Sequence, residues 1–378
     1  MDSIDVLLID GEILARRAIA QVLTHTSKFA INSISIDKAV EDLEKIVTDY
    51  NPNVILLSIE DERSDSTFRL IRNYFPNLPI LLLSARTEEG AKAASTFFQN
   101  GAVDVITKPE PNTSLLFAYD HLEKRLAISI EAASKIENLD SVLIGRAESG
   151  QDARTSFEEL STGPNSLSVV DVIVIGGCMG GPHALLKIIP KLPPNLDVPV
   201  VVTQHFPKIY TRQLATLLNE KSQIQVREAY DGTKLSGDTV WIAPGGYHTE
   251  IVRESHTSSF LKVHCGARVN NSRPSIDLLF NSAANSYGNK VLGIILSGFG
   301  ADGLEGCRRI KEAGGHVIVQ DPGSSLAPDM PLLMIKEKLV SGYFTTDELA
   351  SIISIKIHST DENSIHQTSL ENKIQNNT

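Results

Sequence analysis

The stretch from Val169 to Leu186, VVDVIVIGGCMGGPHALL, constrains this chain more than any other. A run of β-branched and aliphatic residues ends at Gly176, and a helical pattern begins near Pro182. Between them Gly-Gly-Cys-Met-Gly-Gly makes a turn too rich in glycine to be an ordinary connection. Buried strand, tight turn and helix start together describe a nucleophile elbow with Cys178 at its tip. Backbone N–H groups of such a turn converge on one spot, which suits an oxyanion hole or a phosphate cradle. A third reading stays open at this point, a glycine-rich connection in which Cys178 is a small packed residue.

The totals narrow the classes. A chain of 378 residues with 42% hydrophobic content fits two or three globular domains with real cores. The net charge of -11 disfavours nucleic acid and anionic membrane surfaces as partners. No apolar run approaches the ~20 residues that span a bilayer, and MDSIDVLLID is not a secretory signal. Cys178, Cys265 and Cys307 are scattered, without CxxC pairs, so neither a disulfide framework nor a zinc site is expected. A cytoplasmic protein is the natural expectation.

Residues 1–125 alternate short apolar runs with amphipathic stretches. Strands are expected at Val6–Ile9, Ile31–Ile36, Val54–Leu57, Ile80–Leu83 and Val103–Ile106, with helices at Ala15–Leu23 and Lys38–Thr48. That alternation predicts a doubly wound parallel sheet, with ligands at the carboxyl ends of its strands. Asp10, Ser58, Ser84 and Lys108 occupy those ends. The pieces VLLID, PNVILLSIE, PILLLSA and GAVDVITKP, in this order, resemble the receiver domain of bacterial response regulators. The resemblance implies a flavodoxin-type fold, a phosphoryl-accepting aspartate after the third strand, paired acids that help hold Mg²⁺, and a Ser/Thr and a Lys on the phosphoryl oxygens. Asp10, Ser84 and Lys108 fit that pattern. The acceptor position is Ser58, however, and the second acid is Gly11. A hydroxyl forms no acyl phosphate, and Gly11 offers magnesium no side-chain oxygen. The expectation is a pseudo-receiver without Mg²⁺, not switched by aspartyl phosphorylation. Glu12, Glu60 and Asp61 lie near in sequence, but nothing in the sequence says which of them turns inward.

Residues 126–167 lose clear periodicity and read as a flexible linker, although Ala127–Ile136 can extend a helix. Residues 357–378 are Asn/Gln/Ser-rich and read as a disordered tail. Between them, residues 168–356 form a second α/β domain. The elbow helix is expected over His183–Ile189, then a strand at Val198–Thr203 and a helix at Tyr210–Asn219. Shorter strands follow at Ile224–Ala229 and Thr239–Ala243, and a hairpin of Ile251-Val252 with Phe260–His264 at a sheet edge. Ser275–Ser286 is helical, Val291–Ser297 reads as the longest strand, and Leu304–Ala313 and His316–Gln320 complete the alternation.

Three of these strands end in Cys178, His205 and Asp302, which a parallel sheet brings to one edge. Nucleophile, base and orienting carboxylate make a triad by role. Taken singly, His205 also reads as a structural histidine and Asp302 as a helix cap. The chain order, nucleophile–His–acid, differs from that of the α/β-hydrolases, and GGCMGG lacks the G-x-G-x-x-G order of dinucleotide-binding folds.

The stretches VIGGCMGGPHAL, VVTQHFP, IAPGGYH, SRPSIDLLFNSAA, GIILSGFGADGLEG and VIVQDPGSS resemble the catalytic domain of chemotaxis protein-glutamate methylesterases of the CheB type. Those enzymes carry a receiver, a linker and a three-layer α/β domain. The resemblance implies hydrolysis of glutamyl methyl esters, and deamidation of glutamines, on methyl-accepting chemoreceptors, with a chemotaxis histidine kinase as a further partner and a monomeric chain. It assigns nucleophile, base and acid to Cys178, His205 and Asp302, and the oxyanion and substrate region to Gly177, Met179, Gly180 and Phe299. Gly-Gly-Cys-Met replaces the family's Gly-Ala-Ser-Thr, and Phe299 replaces a methionine. Two functions follow from different classes: a working esterase that uses Cys178, or a non-catalytic adaptor of a chemosensory pathway.

Overall fold

A computed structural model describes residues 3–24, 28–108, 115–136, 139, 170–255 and 258–354. The expected linker lies mostly outside the described residues, and the expected tail wholly so. The described chain forms two compact units.

In the first unit β1 (Ile4–Ile9), β3 (Val54–Ser58) and β4 (Ile80–Ser84) are buried nearly throughout. Their unbroken apolar runs follow from the architecture, because helices cover both faces of a parallel sheet. With β2 (Phe29–Ile34) and β5 (Asp104–Thr107) they form an all-parallel sheet in the order β2-β1-β3-β4-β5. The helices are α1 (Ile13–Thr24), α2 (Ile36–Tyr50), α3 (Ser64–Tyr74), α4 (Glu88–Gln99) and α5 (Leu115–Ala133). β2 lies two residues earlier than expected, and α2 begins two residues earlier and ends two residues later. Ser35 explains the shift: its hydroxyl caps α2 by accepting from the Lys38 N–H, and Ile36 therefore enters the buried face of the helix. α5 runs to Ala133, past the expected domain edge at residue 125.

The second unit opens with β6 (Val172–Gly177), α6 (Gly181–Ile188), β7 (Val200–Gln204), α7 (Lys208–Lys221), β8 (Gln225–Glu228), β9 (Thr233–Lys234) and β10 (Thr239–Ile242). It continues with β11 (His248–Arg253), β12 (Ser259–His264), α8 (Ile276–Tyr287), β13 (Val291–Ile295), α9 (Leu304–Glu312), β14 (His316–Gln320), α10 (Asp329–Lys336) and β15 (Gly342–Phe344). Seven strands form a parallel sheet in the order β15-β14-β13-β6-β7-β10-β8.

Two expectations are corrected here. The hairpin β11–β12 is not at an edge of the main sheet; it forms a separate antiparallel sheet with β9, against α8, where the Ile251 N–H donates to Ser282 Oγ at 2.9 Å. Nor is the run from Val291 to Ser297 the longest strand. β13 stops at Ile295, five residues long, while β6 has six. Apolar residues past the ladder are buried in the following loop, so hydrophobicity alone overstates the strand.

Candidate active site

Three neighbouring strands, β13, β6 and β7, end level with one another. Ile295 pairs with Gly176, and Gly177 with Gln204. β6 is the first strand of its unit; the chain leaves it toward β7 and reaches its other side only with β13. The elbow therefore sits where the strand order reverses, the usual place for a ligand crevice in an open parallel sheet.

The turn is built from its glycines. Gly180 adopts φ 76°, a left-handed conformation that costs a glycine little, and α6 begins at the next residue. The Gly181 N–H donates to the Cys178 carbonyl at 3.1 Å, closing the turn. Cys178 and Met179 are both buried, and the Gly177 carbonyl accepts from the His205 N–H at 3.1 Å. The elbow and His205 are thus joined through the backbone as well as through the Cys178 side chain.

His205 is the centre of the site. Its Nε2 lies 2.8 Å from Asp302 Oδ2, and the Cys178 side chain hydrogen-bonds the same imidazole. Burial alone would pull the imidazole pKa down. The negative sulfur of Cys178 and the bond to Asp302 outweigh it and hold the value at about 10, up from 6.5. This environment favours an imidazolium beside a thiolate, the activated form of a cysteine nucleophile.

Asp302 is held by four donors. Oδ2 accepts from His205 and from the Ile276 N–H at 2.8 Å; Oδ1 accepts from Ser275 Oγ at 2.9 Å and the Asp277 N–H at 3.1 Å. Burial pushes its pKa up, but the bond and charge of His205 and the two N–H groups win, leaving it below the ordinary carboxylate value. The carboxylate sits on the first turn of α8, where free N–H groups and the helix dipole favour negative charge. Asp302 is therefore not the cap of α9. Asp277 takes that place, with Oδ1 accepting from the Gly303 N–H at 2.9 Å and the Gly306 N–H at 2.8 Å. Burial and the neighbouring Asp302 raise Asp277 to about 6 against those two bonds.

Ser275, Asp277 and Gln204 are residues of this site with no role assigned from the sequence. In the sequence Ser275 reads only as the first residue of a helix, which the structure starts at Ile276 with Ser275 as its cap, and Gln204 only as the residue before the candidate base. Phe299 is half-buried in the loop between β13 and Asp302 and is not among the groups bonded to the triad. Of the other thiols, Cys265 is exposed, and Cys307 is buried with its pKa pushed well up by burial and by Asp277.

The candidate residues of the first unit also converge, around Lys108. Its Nζ lies 3.0 Å from Asp10 Oδ2, donates to Ser58 Oγ at 2.8 Å and to Glu60 Oε2 at 2.6 Å. Burial works against the ammonium, but Glu60 and Asp10 outweigh it and raise its pKa. Of the three acids left open by the sequence, Glu60 is the one that turns in: Oε2 accepts from Ser58 Oγ at 2.7 Å, and Oε1 accepts from the Ala85 N–H. Asp61 is committed to Arg63, which donates to both its oxygens. Ser84 is buried and donates to the Ala85 carbonyl at 3.2 Å. As a magnesium site this donor set is poor. Gly11 supplies nothing, Ser58 is neutral, and an ammonium already lies against both remaining carboxylates.

A thiol, an imidazole and a carboxylate bonded in series at the strand ends of a parallel sheet define a hydrolase of the nucleophile–histidine–acid type. Residues 173–353 match the CheB methylesterase family. A protein-glutamate methylesterase/protein-glutamine glutaminase of Trichodesmium erythraeum is 32% identical over 361 residues, covering 94% of this chain and 100% of that protein. One of Methanosarcina mazei is 32% identical, covering 92% and 94%. The chain belongs to this family. Among solved structures it is similar to the CheB methylesterase catalytic domain of Thermotoga maritima, at 34% identity, 49% of this chain, 98% of that one and a TM-score of 0.48. The response regulator domain of Thermotoga maritima CheB is a second, at 26% identity, 36% of this chain, 99% of that one and a TM-score of 0.31.

Proposed function

We propose that this chain hydrolyses glutamyl methyl esters on methyl-accepting chemoreceptors, and deamidates glutamines there, with Cys178 as nucleophile. The observation that carries the proposal is His205, bonded at once to Cys178 and to Asp302. The Cys178 thiolate attacks the ester carbonyl, and the negative charge that develops on oxygen faces the N–H of Met179. As the tetrahedral intermediate collapses, His205 gives its proton to the departing methoxide, so methanol leaves and a thioester remains. Neutral His205 then takes a proton from water, the hydroxide attacks the thioester, and glutamate is released. The imidazolium returns to its place beside the thiolate. Throughout, Asp302 fixes the ring and balances its charge.

The first unit supports a second proposal, about control. Ser58 cannot accept a phosphoryl group as an acyl phosphate, and Lys108 binds its neighbours without one. We propose that this centre takes neither aspartyl phosphate nor Mg²⁺, so that a histidine kinase docking on it would act by contact alone. We also propose a cytoplasmic monomer. One chain supplies the whole triad, none of the three cysteines is in a disulfide, and no helix among the described residues is long and apolar enough to cross a membrane.

The deciding experiment offers membranes bearing radiolabelled, methylated receptor and counts released methanol. The expected result is release by the wild type and none above background by Cys178→Ala. Background release by both proteins would leave only an adaptor, and equal release above background would move the nucleophile away from Cys178.

A further inference from the structure

Beneath the elbow lies a side chain that touches neither thiol nor ester. Gln204 closes β7 and is fully buried, and its Nε2 donates to the backbone carbonyl of Cys178 at 2.6 Å. The Gly181 N–H donates to the same oxygen at 3.1 Å. The peptide between Cys178 and Met179 is trans, and in a trans peptide the C=O and the following N–H point in opposite directions. Two donors that hold the Cys178 carbonyl therefore also fix the direction of the Met179 N–H. That is the group toward which the oxyanion of the proposed reaction develops.

The elbow makes room for this amide at the expense of two side chains. A Cβ on Gly181 would lie 2.2 Å from Gln204 Oε1, and one on Gly177 would lie 2.9 Å from it. Either Cβ would force the buried Gln204 amide to shift. Both glycines are explained by space rather than by backbone conformation. The next residue of the same strand end, His205, bonds the preceding carbonyl, that of Gly177. Successive residues of one strand thus hold successive carbonyls of the turn, one through its side chain and one through its backbone.

We infer that Gln204 is a positioning residue for the oxyanion donor: by holding the Cys178 carbonyl it aims the Met179 N–H at the carbonyl oxygen of the substrate. The inference rests on Cys178 being an acyl-transfer nucleophile. A misaim of about 1 Å at a reacting centre costs on the order of 100-fold in rate. The effect is confined to reactions that develop an oxyanion, because the contact of Cys178 with His205 does not pass through Gln204.

Two probes separate these reactions. Acylation of Cys178 by p-nitrophenyl acetate passes through an oxyanion; alkylation by iodoacetamide displaces iodide at a saturated carbon and does not. In Gln204→Met the expected result is acylation slowed about 10- to 100-fold and alkylation within about twofold of wild type. Gln204→Glu keeps the shape, replaces the donor by an oxygen, and gives the same split should the Met variant fail to fold. Gly181→Ala displaces the amide, and Gly181→Ala combined with Gln204→Met is expected to be no slower than the worse single variant, as for two changes acting on one contact. Acylation unchanged, or acylation and alkylation falling together, would overturn the role of Gln204. A wild type that is alkylated at Cys178 but never acylated would remove the acyl-transfer nucleophile, and this inference with it.

Discussion

The two centres of this protein are similar problems with different solutions. Each lies at the carboxyl edge of a parallel sheet, and in each the central residue differs from what the family resemblance implies: Cys178 for serine in one, Ser58 for aspartate in the other. At the elbow the exchange keeps the chemistry available. A thiol is a better nucleophile than a hydroxyl, and the imidazole and carboxylate it needs are bonded in series. In the first unit the exchange removes a charge, and the neighbours close around the loss. Glu60 and Asp10 share the Lys108 ammonium, and Ser58 is reduced to a hydrogen-bond link between Lys108 and Glu60. Replacing one atom leaves the hydrogen-bonded series of His205 and Asp302 in place; removing a charge from a cluster leaves an ion pair of Lys108 with Asp10 and Glu60.

That contrast can be broken at several points. The largest effect is expected from Asp302→Asn, which leaves packing nearly unchanged but cannot balance an imidazolium. Ester hydrolysis should fall by about 10⁴-fold in kcat with KM little changed. A loss below tenfold would mean that His205 needs no carboxylate. Next comes pH. The His205 pKa is about 10 in the folded chain and 6.5 when free, so its charge adds stability that is complete below pH 6.5 and is lost as pH rises through 10. Denaturant midpoints of wild type and His205→Gln should therefore converge between pH 6.5 and 10, by an amount on the order of a few kcal/mol. A gap that widens with pH would contradict the thiolate–imidazolium pair.

In the first unit, Lys108→Met should leave Asp10 and Glu60 without their cation. Allowing for the partial exposure of Lys108 and Glu60, a loss of about 2 kcal/mol is expected, read as a lower denaturant midpoint for that unit. A Lys108→Met variant as stable as wild type would make this centre an open site instead. The smallest expected effect is none. Acetyl phosphate with Mg²⁺ should add no hydroxylamine-sensitive mass to the intact protein, and an adduct would overturn the proposal that this centre is closed to phosphorylation.

Much of this was legible in the sequence because strand ends are. Cys178, His205 and Asp302 each follow an apolar run, and the alternation of elements places such positions on one edge. Asp10, Ser58 and Lys108 were readable for the same reason. What escaped was whatever depends on the direction of a side chain. Glu12, Glu60 and Asp61 are equivalent on paper; only the path of the loop after β3 turns Glu60 back toward Lys108. Ser275 and Asp277 looked like an ordinary helix start, yet the N–H groups and hydroxyl of that start serve a carboxylate from another loop. Gln204 was hidden because a polar residue at a strand end is unremarkable until the glycines above it are seen to be spaces. The hairpin β11–β12 was recognisable as a pair, but its partner, β9, is only two residues long and carries no pattern of its own.

The level ending of β13, β6 and β7 has one further consequence. His205 and Asp302 are 97 residues apart in the chain, yet the strands that lead to them are held level by the hydrogen-bonded rungs of two adjoining ladders. A slip of one rung would turn every side chain of a strand to the opposite face. An insertion in a loop remote from the strand ends alters no rung at all. The alignment of these strand ends is thus insulated from the length of what lies between them. Helices, hairpins and surface loops are free to grow, shrink or acquire new partners while the site stays in register.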